Sequence, residues 1–336
     1  MKNVVYLIPF DGIGGVEIAA STLQKYRNSF MNINVQYIFS HKKDLFNIVK
    51  LLQSIKRVIE LKPDLLIVSL WRSVLVAIFI KIYMPKLKVI LFVHSEKDTH
   101  IFDFLTTRLM VFMCYEVWCD SSASLSNRFP VLKLKKPTKI ISFNSRNISR
   151  LPERKLTPNF VYWGRITKDK GVYRALDIFK KLLVFYPEST YKLIGDFSEE
   201  GIEIKQYCLD IGLLDSVQFY KETDLEGLKH YAKSASFYLQ ASKFEGMSMS
   251  VMEAMMMGLV PVVTPVGEIK KYCNKKNSIL IYSNLEVVRS VMQILKNESS
   301  FLCISNAAVL TWKGQMSYLD SVSSNCERVL KEEMIK

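Results

Sequence analysis

The stretch Phe244-Glu245-Gly246-Met247-Ser248-Met249-Ser250-Val251-Met252-Glu253-Ala254-Met255-Met256-Met257-Gly258 decides how this 336-residue chain is read. A strand-like run with a polar end, Tyr238-Leu239-Gln240-Ala241-Ser242, leads into it. Ser248 or Ser250 can cap a helix start, and Gly258 can end the helix. The first-turn N–H groups of such a helix have no intrahelical acceptor, so they offer an anion site suited to a diphosphate. Gly246 lets the backbone come close to a ligand.

Glu253 stands among Met252, Ala254, Met255, Met256 and Met257, on a helix that reads as buried. A buried carboxylate without a partner is costly, so one is expected. The two adjacent hydroxyls of a ribose can serve, because one carboxylate accepts from both. Glu245 falls in the loop before the helix and can face a sugar. The plain alternative is an amphipathic helix with Glu253 on its surface. The joint pattern of Glu-Gly, a spaced Glu-Ala and a closing Gly favours the ligand site.

Working outward, the chain opens on a buried-strand pattern, Val4–Pro9, then a glycine turn through Gly12, Gly14 and Gly15, then a helical pattern from Val16 to Tyr26. Apolar runs recur at Val35–Phe39, Leu65–Leu70, Val89–Val93, Val117–Trp118 and Ile140–Phe143, with segments of helical length such as Leu45–Leu61 between several of them. Strands alternating with helices predict an α/β fold with parallel sheets. The polar, basic stretch Asn144–Pro158 interrupts the pattern, which restarts at Phe160–Trp163 and continues through helix Val172–Phe185 and strands Tyr191–Ile194, Val217–Tyr220, Phe237–Leu239, Leu259–Val263 and Ile279–Tyr282. The expected organisation is a basic first domain at 1–150, a linker at 151–158, and a second domain at 159–315, which the resemblance given below makes the acceptor-binding and the nucleotide-sugar domain. A C-terminal helix at 316–336 packs back toward the first domain. Two doubly wound halves are expected to face each other across a cleft, with ligand at the C-terminal ends of the strands.

These features together resemble the family-4 retaining glycosyltransferases, which have the GT-B fold: Glu245 and Glu253 stand at the spacing of that family's E-x7-E motif. Tyr162-Trp163-Gly164-Arg165-Ile166-Thr167-Lys168-Asp169-Lys170-Gly171 is similar to its G-R-x-x-x-x-K-G segment. Leu193-Ile194-Gly195-Asp196 and Pro261–Glu268 resemble the flanking strand and glycine loop. Gly14-Gly15-Val16-Glu17, His94 and Ile140–Asn144 fall where the family has a glycine loop, an active-site histidine and a strand before the linker. The resemblance implies that Arg165 and Lys170 neutralise a donor diphosphate and that Glu253 holds the ribose. Glu245 and the backbone around Gly246, Met247 and Ser248 hold the donor sugar. Gly14, Gly15 and Gly164 let loops approach the donor, and His94 contacts the donor sugar. It implies front-face attack with retention, and the chain has no Asp-x-Asp, so no metal is expected and no cofactor beyond the nucleoside-diphosphate sugar itself. The chain departs from the pattern at Lys221, at Asn144-Ser145 and in its methionine-rich motif interior.

Charge is unevenly spread. Residues 1–156 hold 24 Lys and Arg against 11 Asp and Glu, whereas 157–336 hold 22 against 21. Arg128, Lys133, Lys135, Lys136, Lys139, Arg146, Arg150, Arg154 and Lys155 form a run with the single acid Glu153, and Lys81, Lys86 and Lys88 stand among large apolar residues. Such a half is expected to meet something anionic: a glycan or polyprenyl-diphosphate-linked acceptor, and an anionic membrane surface in peripheral contact. Nucleic acid is disfavoured by the lack of a recognition motif. The run Ser73–Ile80 is too short to span a bilayer, and the N-terminus lacks a signal-peptide pattern. A place in the cytoplasm, at the inner membrane face, follows as an expectation. The six cysteines form no C-x-x-C pair and are expected as buried thiols.

The expected function is transfer of a hexose or N-acetylhexosamine in surface polysaccharide assembly, of the O-antigen, lipopolysaccharide or capsule kind. Rivals are a nucleotide-sugar epimerase on the same fold, a non-catalytic partner that keeps the fold, and a Rossmann dehydrogenase. The last is weakened because Ser40-His41, not an acid, closes the second strand.

Overall fold

A computed structural model describes the chain except residues 13, 25, 41–43, 45–46, 130–135, 147, 153–154, 198 and 333–336. It forms two compact units, Met1–Ser145 with Met316–Lys336, and Arg146–Gln315.

The first unit runs β1 (Lys2–Phe10), α1 (Gly15–Leu23), β2 (Met31–Phe39), α2 (Ile48–Glu60), β3 (Leu65–Ser69), α3 (Trp71–Tyr83), β4 (Lys88–Val93), α4 (Ile101–Met113), β5 (Glu116–Cys119), α5 (Ser122–Arg128) and β6 (Thr138–Ile140). The sheet order is β2-β1-β3-β4-β5-β6, with every pair parallel. Parallel strands covered on both faces need continuous apolar runs, and all five residues of β3 are buried. Right-handed crossovers put α1 on one face and α2, α3 and α4 on the other, because the chain reverses direction across the sheet after β2.

The second unit runs β7 (Phe160–Trp163), α6 (Val172–Leu183), β8 (Tyr191–Ile194), α7 (Glu199–Asp210), β9 (Val217–Tyr220), α8 (Leu225–Ala232), β10 (Phe237–Gln240), α9 (Met249–Met256), β11 (Val260–Val263), α10 (Ile269–Tyr272), β12 (Ile279–Leu280), α11 (Asn284–Leu295) and α12 (Glu298–Trp312). Its parallel sheet is ordered β12-β11-β10-β7-β8-β9. The chain then supplies α13 (Tyr318–Lys331) to the first unit, beside α1.

Three expectations change. The units part between Ser145 and Arg146 rather than at a linker over 151–158. Ile148 and Leu151 belong to the second core, and the Leu151 N–H donates to the Met257 carbonyl at 3.3 Å. Their apolar side chains bind this stretch to the unit; Glu153 and Arg154 lie outside the described residues. The strand expected at Ile140–Phe143 is instead β6, earlier in the chain. Its ladder with β5 runs out at Cys119, whose carbonyl takes the Ile141 N–H at 2.8 Å, and Ile141 and Phe143 are buried as loop residues. All six cysteines are free thiols, and Cys303 is exposed where burial was expected.

Candidate active site

In the second sheet β7 sits between β10 and β8, and the chain leaving β7 goes to β8. Strand order therefore reverses at β7 and β10, the place where open α/β sheets open a crevice at their C-terminal ends. The loops that follow these two strands carry Gly164–Gly171 and Ser242–Ser248.

Glu245 is buried there, and its Oε1 accepts from Lys170 Nζ, Gln240 Nε2 and Ser242 Oγ, each at 2.7 Å. Its Oε2 takes no hydrogen bond from the described residues. Lys170 uses one of its three ammonium protons on Glu245 and is partly open to solvent, so it can still donate to an anion. The loops are locked together. Gly171 is left-handed at φ 68°, and a Cβ there would stand 1.8 Å from the Ala241 carbonyl oxygen. Only glycine allows that approach. The Lys243 N–H donates to the Asp169 carbonyl at 2.9 Å across the same seam.

Neither Ser248 nor Ser250 caps α9 with its side chain. Both turn to Gln240: Ser248 Oγ accepts from Nε2 at 3.1 Å, and Ser250 Oγ donates to Oε1 at 3.1 Å. Gln240 competes better because it sits buried at the end of β10 and must satisfy both amide ends. Ser248 is held at φ 56°, ψ 74°, strained for a non-glycine residue. The N–H groups of Met249, Ser250 and Val251 have no acceptor among the described residues, which leaves the positive end of α9 uncapped. Gly246 and Met247 beside it give their carbonyls to the Glu268 N–H (3.1 Å) and the Tyr272 hydroxyl (2.8 Å). At its far end α9 closes as expected. Gly258, at φ 83°, donates to Met255 and Leu259 to Ala254, the paired bonds of a glycine-terminated helix.

Glu253 is buried, and each of its oxygens has a partner from the protein. Oε1 accepts from Arg146 Nη1 and Oε2 from the Trp163 indole N–H, both at 2.9 Å. The partner expected from a ribose is thus supplied by the chain. Burial pushes this carboxyl above the usual range, and Arg146 and Trp163 pull it back. Lone pairs remain on both oxygens for further donors. Arg165 is exposed, just beyond exposed Gly164, and its guanidinium has no partner among the described residues.

In the first sheet the reversal falls between β1 and β3. Gly14 and Gly15 follow β1, exposed, and begin α1. His94 follows β4. Its Nε2 shares a 2.8 Å bond with Ser69 Oγ, which in turn shares one of 2.8 Å with the Tyr6 hydroxyl. Its Nδ1 is enclosed with no partner among the described residues, and burial pushes the imidazole down to about 3, so it is neutral. The structure thus gathers Lys170 and Glu245 in one cluster, with Ser248 bonded to the same Gln240. Glu253 stands in a second cluster with Arg146 and Trp163, and His94, Gly14 and Gly15 belong to the first unit. Sequence reading gave no role to Gln240, Ser242, Trp163 or Ser69, and it placed Arg146 in the basic run expected to meet an anionic acceptor or membrane rather than beside Glu253. The polar end of the β10 run was the one signal for the first two. No trio of His, Cys, Asp or Glu among the described residues is grouped to hold a metal ion.

Two doubly wound parallel units with a polar cluster at the switch point define a GT-B protein. The chain matches the family model of glycosyl transferases group 1 over residues 144–308. It is 28% identical, over 91% of its length and 86% of the relative's, to an uncharacterized glycosyltransferase of Haemophilus influenzae. A shorter match, 22% identical over 40% of this chain and 36% of the relative, is to the GDP-mannose:cellobiosyl-diphosphopolyprenol alpha-mannosyltransferase of Xanthomonas oryzae pv. oryzae. Among solved structures, Anabaena HepE in complex with UDP superposes with a TM-score of 0.76 at 15% identity, covering 98% of this chain and 99% of that one. The sucrose-phosphate synthase of Thermosynechococcus elongatus superposes with a TM-score of 0.78 at 12% identity over the full length of both.

Proposed function

We propose that this protein is a family-4 retaining glycosyltransferase that moves a hexose or N-acetylhexosamine from a nucleoside diphosphate to a glycan or polyprenyl-diphosphate-linked acceptor, without a metal, in surface polysaccharide assembly. The observation that carries the reading is the Lys170–Glu245 pair at the sheet's reversal, beside the uncapped start of α9. The diphosphate gains negative charge as the sugar–phosphate bond breaks. The N–H groups of α9, the spare protons of Lys170 and the guanidinium of Arg165 stabilise that charge. Glu245 Oε2 accepts from sugar hydroxyls. Glu253, oriented by Arg146 and Trp163, accepts from the ribose with its remaining lone pairs. The acceptor oxygen bonds to the anomeric carbon on the face the phosphate leaves, and its proton passes to the departing phosphate oxygen. Catalysis is then positioning and electrostatics. Neutral His94 contacts the donor sugar as a hydrogen-bonding group rather than a cation. The lipid-linked acceptor has its parallel in the Xanthomonas relative's substrate.

A thermal-shift screen against UDP-, GDP-, ADP- and CMP-sugars identifies the donor. Lys170→Ala should then cut transfer about 10²–10³-fold with the melting temperature nearly kept, as loss of a charge-stabilising donor does. Full transfer by Lys170→Ala, or a product of inverted anomeric configuration, would refute the assignment.

A further inference from the structure

Helix α4 buries a mixed face, Asp103 and Thr107 beside Met110 and Val111. Its Asp103 and Thr107 are buried, with Asp103 Oδ1 accepting from Arg128 Nη2 at 2.6 Å and from Thr107 Oγ1 at 3.2 Å. Its opposite face exposes Leu105 (55%), Leu109 (49%) and Phe112 (67%). A helix facing water keeps its outward side polar. Neighbouring α3 buries an apolar face that includes Val74, Ala77 and Ile80, and also exposes Phe79 (52%), Ile82 (68%) and Tyr83 (72%). The two helices pack side by side, so their outward stripes join into one apolar face.

Where both helices end, a cavity of about 500 Å³ is lined by Lys81, Lys86, Lys88 and Lys136 and by no carboxylate. Lys81 Nζ is committed to the Pro85 and Leu87 carbonyls (2.7 and 2.6 Å), and Lys88 Nζ to the Val329 carbonyl (2.7 Å). Lys86 and Lys136 have no acidic partner among the described residues.

We infer that the α3–α4 face docks on an anionic phospholipid bilayer, with its apolar side chains entering the acyl boundary and Lys86 and Lys136 meeting lipid phosphates. Charge decides between occupants. A second copy or an ordinary apolar partner would have to cover Lys86 and Lys136, which have no acidic partner among the described residues, whereas an anionic headgroup layer complements them. The inference deepens the acceptor reading and rests on it for purpose: a polyprenyl diphosphate is presented at such a surface.

The test is sedimentation of the full chain with phosphatidylglycerol–phosphatidylcholine vesicles at low salt, against phosphatidylcholine alone. The wild type should pellet with the former. The double variant Phe79→Asp with Phe112→Asp should lose about tenfold or more in partitioning, and Lys86→Glu with Lys136→Glu about tenfold, with weaker salt dependence. All four positions lie outside the donor site, so both variants should keep their melting temperature and donor-induced thermal shift. Wild type left in the supernatant, variants that bind like wild type, or a wild-type dimer that the Asp variant splits would each overturn the inference. A wild type that fails to bind vesicles yet shows the donor shift sinks this inference alone; a wild type that binds vesicles but shows no donor shift sinks the transfer reading alone.

Discussion

The His94 ring is packed against Phe92 and Phe143, with centroids 4.1 and 5.2 Å away, and that enclosure has a thermodynamic consequence. The folded pKa lies near 3 against 6.5 for a free imidazole. Below pH 6.5 the unfolded chain takes up a proton that the folded chain refuses. The stability contributed by neutral His94 is therefore complete above pH 6.5 and drains away as pH falls toward 3. Melting curves at stepped pH should show a steeper acid decline for wild type than for His94→Gln, which cannot titrate; superposable slopes would disprove the enclosure. The residue itself was visible in the sequence as a histidine ending an apolar run. Its bond to Ser69 was not, since 25 residues separate the pair. Glu253 shows the same division. Its burial was legible from the methionines around it, and its need for a partner followed. The identity of that partner was not, because Arg146 lies 107 residues away and becomes a neighbour only through folding.

At the scale of elements, parallel strands announce themselves because burial on both faces demands unbroken β-branched and aliphatic runs, as in Leu65–Val68 and Val89–Leu91. The error at Ile140–Phe143 has the same origin. Burial alone made Ile141 and Phe143 look like strand, although no neighbouring strand is left to pair with them. Loop conformations were less legible still, because the bend at Ser248 depends on Gln240 and not on local preference. Where a loop is pinned by contact, the cost of change can be stated. The turn carrying Lys170 ends at Gly171, pressed on the Ala241 carbonyl. Gly171→Ala must move backbone against backbone, beyond the cost of about 1–2 kcal/mol for the left-handed conformation alone. The expected outcome is a melting temperature lower by several degrees and loss of the donor-induced shift, because Lys170 moves with the turn. Differential scanning fluorimetry with and without donor checks both. An unchanged donor shift would mean that the seam does not position Lys170.

For the whole molecule, the chain's last helix decides how the units stand as folding units. α13 is distant in sequence from the rest of the first unit, yet Tyr318, Val322, Cys326, Val329 and Leu330 are all buried in it. The Tyr318 N–H donates to the Asn144 carbonyl at 2.8 Å, and the Arg328 guanidinium pairs at 2.5 Å with Glu116, a carboxylate with no exposure of its own. Each large apolar side chain removed from water contributes about 1.5–3 kcal/mol. Tyr318, Val322, Val329 and Leu330 together rival the roughly 5–15 kcal/mol that keeps a whole domain folded. Losing Arg328 would also strand Glu116 as a buried unpaired charge, which destabilises further. The second unit, Arg146–Gln315, holds its own sheet and core and contains nothing after Gln315. A chain ended at Gln315 should therefore lose protection from hydrogen exchange across β1, β3, β4 and β5 while β7, β8, β10 and β11 stay protected. Arg328→Leu should give a milder form of the same asymmetry, lowering the first unit's stability with little effect on the second. Uniform protection across the first sheet in the truncated chain would show that α13 is dispensable to that core.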